Sequence, residues 1–473
     1  LSEVKERPGG VTQSVLPHNA PWIPSFVPPP WLSRRGGRLL TQQLHIAAGL
    51  GILLCTLVAI SLHVPGSIWV GTLPRKDAVI ALMLTSAALW ALAVARSLRT
   101  PTLRLAPIIG IALALRLILL AAPPFMSSDI YRYVWDGRVQ ATGINPYRYV
   151  AADPALSPLR DKAIYPNINR LDYAHTIYPP AAQLIFAAVG RVSQTVLATK
   201  IAMLLLESCG IIAVLALLRR ASLPLSRILI YAWNPLPAWA IALDGHIDGA
   251  MIGLLGLALW AAVARRNGLA GTLLGGAILT KFFPLAIAPA LWRRRDWKLP
   301  AACAATIIAL YAIYASVGWH VFGFLPTYTS EEGLRSGNGF FLLGALDHLA
   351  PLPAWAQPAY LAAVILALGA LAIWIAFVQP QTDDPIRRTR NVALLALCTV
   401  AAASPHYPWY YAWLALPACL VPWPSLLWLG AAPMLLYADP WHDEILIQAA
   451  VFVPFAALAA RDLWRARPLP IGG

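Results

Sequence analysis

Charge is what this sequence has least of. Aspartate, glutamate, lysine and arginine make up 12% of its 473 residues, about half the share of a soluble domain. That leaves too little polar surface to cover a water-facing globule. Cysteine is scarce too. Cys55, Cys209, Cys303, Cys398 and Cys419 all fall inside apolar runs without metal-ligand spacing, so they read as small buried hydrophobes rather than a disulfide frame or a metal site. Acidic residues number 21 against 36 basic ones, a net charge of +15. In a soluble chain that excess would favour nucleic acid. Here the basic residues cluster between apolar runs, as in the cytoplasmic loops of membrane proteins, so nucleic acid is not an expected partner. No internal repeat has a clear period, and no Gly/Ser linker sets off a soluble domain.

Apolar sequence is abundant: 59% of residues are hydrophobic and the mean hydropathy is +0.63. Runs suited to a bilayer fall at 43–63, 78–96, 105–122, 197–218, 228–243, 249–264, 269–292, 300–318, 357–378, 391–403, 409–421, 425–438 and 444–460. Prolines interrupt several of them, at Pro235, Pro237, Pro284, Pro289, Pro417 and Pro433, which membrane helices tolerate where neighbours satisfy the freed backbone groups. Basic clusters at Arg96/Arg99/Arg104, Arg219/Arg220/Arg227, Arg265/Arg266, Arg293–Arg295, Arg387/Arg388/Arg390 and Arg461/Arg465/Arg467 are expected on the cytoplasmic side. Arg75 and Lys76 then fall on the other side, against the rule. The 269–292 run has basic clusters at both ends, so it reads as two short helices that go out and return, turning near Lys281–Pro284. The expected architecture is an all-α polytopic bundle of about fourteen membrane helices, some of them re-entrant. A Pro-rich, charged cytoplasmic tail (1–38), unlike a cleavable signal, precedes a membrane domain (39–467) with outward loops at 123–178 and 319–355. A short tail (468–473) follows.

The first outward loop is dense in Asp, Arg, Tyr and Trp. Ser127 or Ser128 can cap a helix beginning at Asp129, on which Asp129, Tyr133 and Asp136 share a face. A first-turn carboxylate is held ionised by the helix dipole, which suits a proton acceptor. Equally, Asp129 is read as a helix-start acid on a wetted loop. Asp136 reads as structural, paired with Arg132 or Arg138. Gly143-Ile144-Asn145-Pro146-Tyr147 is a turn signal, and Tyr178-Pro179-Pro180 opens a further apolar stretch. Asp244-Gly245-His246-Ile247-Asp248-Gly249 lies between two apolar runs, where ionisable groups are expensive and point to function. His246 and Asp248 could line a polar site or hydrogen-bond each other, and two ligands make a poor metal site. Lys281 could meet a lipid phosphate or snorkel to the interface. Ser404-Pro405-His406-Tyr407-Pro408-Trp409-Tyr410-Tyr411 is an aromatic outward turn, read either as a belt or as a sugar or phosphate contact.

The order of these pieces resembles the GT-C class of polytopic glycosyltransferases, and within it the polyprenyl-phosphate-mannose-dependent mannosyltransferases, including actinobacterial α-1,6-mannosyltransferases and glycosyltransferase family 87. The matching stretches are Ser128-Asp129-Ile130-Tyr131 with Gly137, Gly143 to Tyr147, Tyr178-Pro179-Pro180, Asn234-Pro235-Leu236 leading to Gly245-His246-Ile247-Asp248, Lys281 to Leu285, and Pro408-Trp409-Tyr410. The chain departs from the pattern in carrying Ile247 where relatives often have Asn, and in having two spans ahead of the one before the Asp129 loop. The resemblance implies transfer of a sugar, mannose foremost with glucose or arabinose as alternatives, from a polyprenyl-phosphate donor to a lipid or glycan acceptor. It also implies inversion, with Asp129 as general base and no cofactor. Tyr131, Arg132, Tyr147, Tyr178, His246, Asp248, Lys281, His406 and Tyr407 are the expected substrate-binding residues. The expected location is the cell inner (plasma) membrane, in contact with membrane lipids and with the site facing outward. A transporter or lipid flippase, or a non-catalytic membrane partner, is the competing class. Transporters often show inverted repeats around a midplane site, whereas here the polar residues gather on one face.

Overall fold

The computed structural model describes residues 35–63, 69–101, 103–442 and 444–465. Most of the expected tails, 1–34 and 466–473, lies outside the described residues. All regular structure among the described residues is helical, as the composition requires: a backbone out of reach of water satisfies its own hydrogen bonds most simply as a helix.

Helices α1 (Arg35–Ser61), α2 (Lys76–Arg99) and α3 (Leu105–Ala121) pack together at one side of the bundle. Helix α4 (Asp129–Ala141) packs on α5 (Pro180–Val192), and α6 (Val196–Arg220) lies along the Asp248–Val263 helix. Helices Asn267–Ile278, Lys298–Ile313, Ala356–Ile373, Pro385–Ala403 and Ile445–Arg465 complete the larger pieces.

Among the described residues, five helical stretches are long and apolar enough to cross a membrane: Leu40–Ser61, Lys76–Arg99, Val196–Arg220, Ala356–Val378 and Ile445–Arg465. A bent pair, Lys298–Ile313 with Ala315–Glu331, would make a sixth. The protein is therefore a membrane protein by its helices; Leu105–Ala121, Pro180–Val192, Asp248–Val263 and Pro424–Ala438 are apolar but shorter, so the count of about fourteen is not confirmed. Several of the apolar runs are broken at or near proline. The 228–243 run is broken into Leu229–Ala232, Pro235–Ala238 and a π-helical turn at Trp239–Leu243, with Asn234 capping the middle piece through Leu236 N–H at 2.9 Å. The 409–421 run divides likewise into Pro408–Leu414 and Ala415–Ala418. Each Pro removes a backbone donor and crowds the preceding turn. The cysteines also differ from expectation: Cys419 alone is buried, and the other four are half-buried thiols.

The out-and-back geometry of 269–292 is present. The Asn267–Ile278 helix ends in a turn through Lys281, and short turns at Phe283–Ile287 and Ala288–Leu291 return the chain. The two basic ends of the run meet on one carboxylate, since Arg265 and Arg293 both pair with Asp383.

Several buried polar groups fix the segment that leads into α4. Arg116 on α3 binds Glu207 on α6 through two bonds of 3.0 and 2.7 Å, and Tyr231 adds its hydroxyl to Glu207 at 2.9 Å. Lys200 donates to the carbonyls of Leu119, Leu120 and Ala122 at 3.1, 3.0 and 2.7 Å. A cation on the last carbonyls of α3 is favourable for the helix dipole and satisfies acceptors that would otherwise be orphaned. Four residues past Ala122, Asp244 accepts the Met126 N–H at 3.2 Å. The chain thus enters Ser127-Ser128-Asp129 clamped by α6 and by the Asp244 turn. Gly137 completes the placement. A side chain there would run into the Phe186 carbonyl, so α4 and α5 touch backbone to backbone at Gly137 and Gly190.

Candidate active site

The N-terminus of α4 opens on a cavity of about 490 Å³. Asp129 stands at its edge with 21% of its side chain exposed. Its Oδ1 accepts the Asn169 side-chain N–H at 2.9 Å. Its Oδ2 lies 3.7 Å from Nδ1 of His246. Ser127 Oγ accepts the Asp129 N–H at 3.3 Å, while Ser128 makes no side-chain capping bond. Burial pushes the Asp129 carboxyl above the ordinary carboxylate value, and the neighbouring Asp248 adds to that. Lys281, the Asn169 bond and Arg170 oppose it. Asp129 is thus a carboxylate destabilised by its surroundings and eager for a proton, yet held near cations that keep it ionisable.

Lys281 forms the cationic side of the cavity. Its Nζ donates to both oxygens of Asp248 at 2.8 Å and sits 3.7 Å from the centroid of the Tyr410 ring. An ammonium has three donors, so one remains for a substrate oxygen. Asp248 is 1% exposed and Lys281 16%. The pair answers the two open questions about these residues: Asp248 bonds Lys281 rather than His246, and Lys281 is held in place rather than extended toward an interface.

His246 is fully buried behind Asp129 and stacked on Trp409 at 4.1 Å. Neither ring nitrogen has a hydrogen-bond partner. Of the expected substrate-binding residues, Arg132, Tyr178, Lys281 and Tyr407 line the cavity. Arg132 is tied to Asp136 at 2.9 Å and to the Ala174 carbonyl at 3.1 Å, and Asp136 also accepts from Thr176 and Gln183, which makes Asp136 structural as expected. Tyr131, Tyr147, His246, Asp248 and His406 do not line the cavity. Tyr147 donates its hydroxyl to the Tyr178 carbonyl at 2.7 Å, so it supports a wall residue from behind. His406 faces the Gly339 carbonyl at 3.1 Å and touches His442, which does line the cavity. Tyr131 is buried in the core.

Sequence reasoning passed over Asn169, Arg170 and Tyr328. All three line the cavity. Arg170 adopts φ +53 and donates to Glu331 at 2.7 Å. Tyr328 shares a hydrogen bond with Tyr410 at 3.0 Å. This wall is brought in by the chain at Gly323-Phe324, whose Phe324 N–H donates to the Thr176 carbonyl at 3.2 Å. Gly323 has φ +54, and a Cβ there would strike the same Thr176 carbonyl. Gly323→Ala is therefore expected to cost about 1–3 kcal/mol and to loosen the Tyr328 wall. A thermal melt in detergent and a substrate KM measure the two effects, with KM rising more than kcat falls.

Residues 8–293 match the family described as alpha-(1->6)-mannopyranosyltransferase, N-terminal domain. No curated protein and no solved structure matches the chain.

Proposed function

The chain belongs to the alpha-(1->6)-mannopyranosyltransferase family, and from that premise we propose that it transfers mannose from a polyprenyl-phosphate carrier to a hydroxyl of a lipid or glycan acceptor. The reaction takes place on the extracytoplasmic side of the inner membrane in a GT-C-type bundle. The observation that carries this reading is the pairing, in one cavity, of a lone helix-start carboxylate, Asp129, with an anchored ammonium, Lys281.

The acceptor hydroxyl lies against Asp129 and gives its proton to the carboxylate as its oxygen attacks the anomeric carbon. The bond between that carbon and the phosphate oxygen breaks on the opposite face. The electron pair leaves with the polyprenyl phosphate, whose charge meets the free N–H of Lys281. No nucleotide is needed, because the phosphate is itself the leaving group. Asn169 holds Oδ1 of the carboxylate, and His246, packed against Trp409, lies behind Oδ2. Tyr133, Tyr178 and Tyr407 line the cavity around the sugar.

The test is a donor comparison with purified protein. Polyprenyl-phosphate mannose with a mannoside acceptor is expected to give a new glycoside, while GDP-mannose alone gives none. Glycoside formation from GDP-mannose alone, or movement of the lipid-linked sugar across proteoliposomes without glycoside formation, would overturn the proposal.

A further inference from the structure

A second cavity, about 570 Å³, lies away from the Asp129 site, between α2 and the Pro422–Leu435 segment, with Leu458 of the last helix at its edge. Its wall on α2 includes a row of alanines between larger apolar residues, Leu84, Trp90, Val94 and Leu98. Ala87, Ala91 and Ala95 are spaced four apart, so they share one face, and the next step along that face is Arg99. From Leu84 to Arg99 the helix rises about 22 Å. That exceeds the depth of about 15 Å that one leaflet's hydrocarbon occupies. Since α2 is apolar and long enough to cross a membrane, this groove faces acyl chains rather than water.

One end of it is strongly basic. Arg96 and Arg99 are exposed on the last turn of α2. Pro424, which also lines the groove, begins the helix Pro424–Leu429. The Ser425 N–H of that helix is accepted by Asp462 at 2.9 Å. That bond ties the last helix, which carries the exposed Arg461 and Arg465, to the start of the Pro424–Leu429 helix. Asp462 is buried and committed to Ser425, and none of the four arginines forms an ion pair among the described residues.

We propose that this groove is a binding site for an anionic phospholipid, with one acyl chain along the Ala87–Ala91–Ala95 row and the phosphate at Arg96 and Arg99. The charge complementarity selects the head group, and the alanine floor makes room for the chain. The site does not depend on the transferase reading, since it shares no residue with the Asp129 cavity.

Native mass spectrometry of the full chain in detergent tests it, with phosphatidylglycerol, phosphatidylcholine and polyprenyl phosphate as probes. Phosphatidylglycerol is expected to bind roughly 30-fold more tightly than phosphatidylcholine, from two arginines near the phosphate. Arg96→Gln/Arg99→Gln should abolish that preference and Arg96→Lys/Arg99→Lys should keep it. Ala91→Trp, which fills the groove, should remove both phospholipids while leaving mannosyl transfer unchanged. Equal binding of the two phospholipids, an unaltered preference in the Gln variant, or retained binding in the Ala91→Trp variant would overturn the site. So would preferential capture of polyprenyl phosphate, or dissociation of a dimer by Ala91→Trp, which would mark the groove as a contact between copies. Should the Trp variant aggregate, the Gln and Lys variants decide alone.

Discussion

Asp129→Asn is expected to lower kcat by about 10²–10⁴-fold, the range for loss of a positioned general base, with donor KM little changed. The amide keeps the shape and can still meet Asn169 after a side-chain flip, but it cannot take the acceptor proton. The wild-type pH profile supplies a second readout. Burial raises the Asp129 carboxyl above its ordinary value, and a base works only when ionised. Activity should therefore fall as pH drops through that raised value, so the acid limb of kcat/KM lies above the ordinary carboxylate range of about 4. The Asn variant should lose that limb. A variant with full turnover, or one that keeps the same acid limb, would show that the proton goes elsewhere.

Lys281→Met should be costly in two separable ways. It strands Asp248, a carboxylate 1% exposed, and breaking a buried pair by removing one partner costs about 3–5 kcal/mol. It also removes the cation that faces the leaving phosphate, a loss of about 10²–10³-fold in rate. The double variant Lys281→Met/Asp248→Leu separates these effects. Two apolar side chains of similar bulk often replace a buried ion pair at little cost, so thermal stability should return to near wild type while activity stays low. If activity returned with stability, Lys281 would be a structural partner of Asp248 and nothing more. Because the two residues touch, their effects are not expected to add.

Part of this arrangement is readable before any coordinates. The scarcity of charge and the apolar runs imply an all-helical membrane chain. The basic clusters on both ends of 269–292 imply a hairpin, which Asp383 closes by gathering Arg265 and Arg293. The Ser-Ser-Asp start of α4 marks the carboxylate, because helix-start chemistry is local. The crossings are harder to read. Hydropathy registers the 228–243 and 409–421 runs as apolar, but the first breaks just before Pro235 and the second changes helix type at Leu414, leaving short pieces. Harder still are the contacts that cross the chain. Asn169 meets Asp129 from forty residues away, Tyr328 arrives on a short helix, Leu325–Glu331, that follows Gly323, and Arg170 adopts a left-handed conformation that no glycine advertises. The partner of Asp248 was ambiguous for the same reason. His246 is nearer in sequence, but the hairpin turn delivers Lys281, and a cation displaces a neutral ring from a buried carboxylate.

The most direct test of the central claim, a single displacement at the anomeric carbon with Asp129 as the only base, is the stereochemistry of the product. With β-linked polyprenyl-phosphate mannose as donor, the account predicts an α-linked mannoside, read from the one-bond C1–H1 coupling of the purified product. A β-linked product would mean net retention, which one base and one displacement cannot give, and would contradict the account.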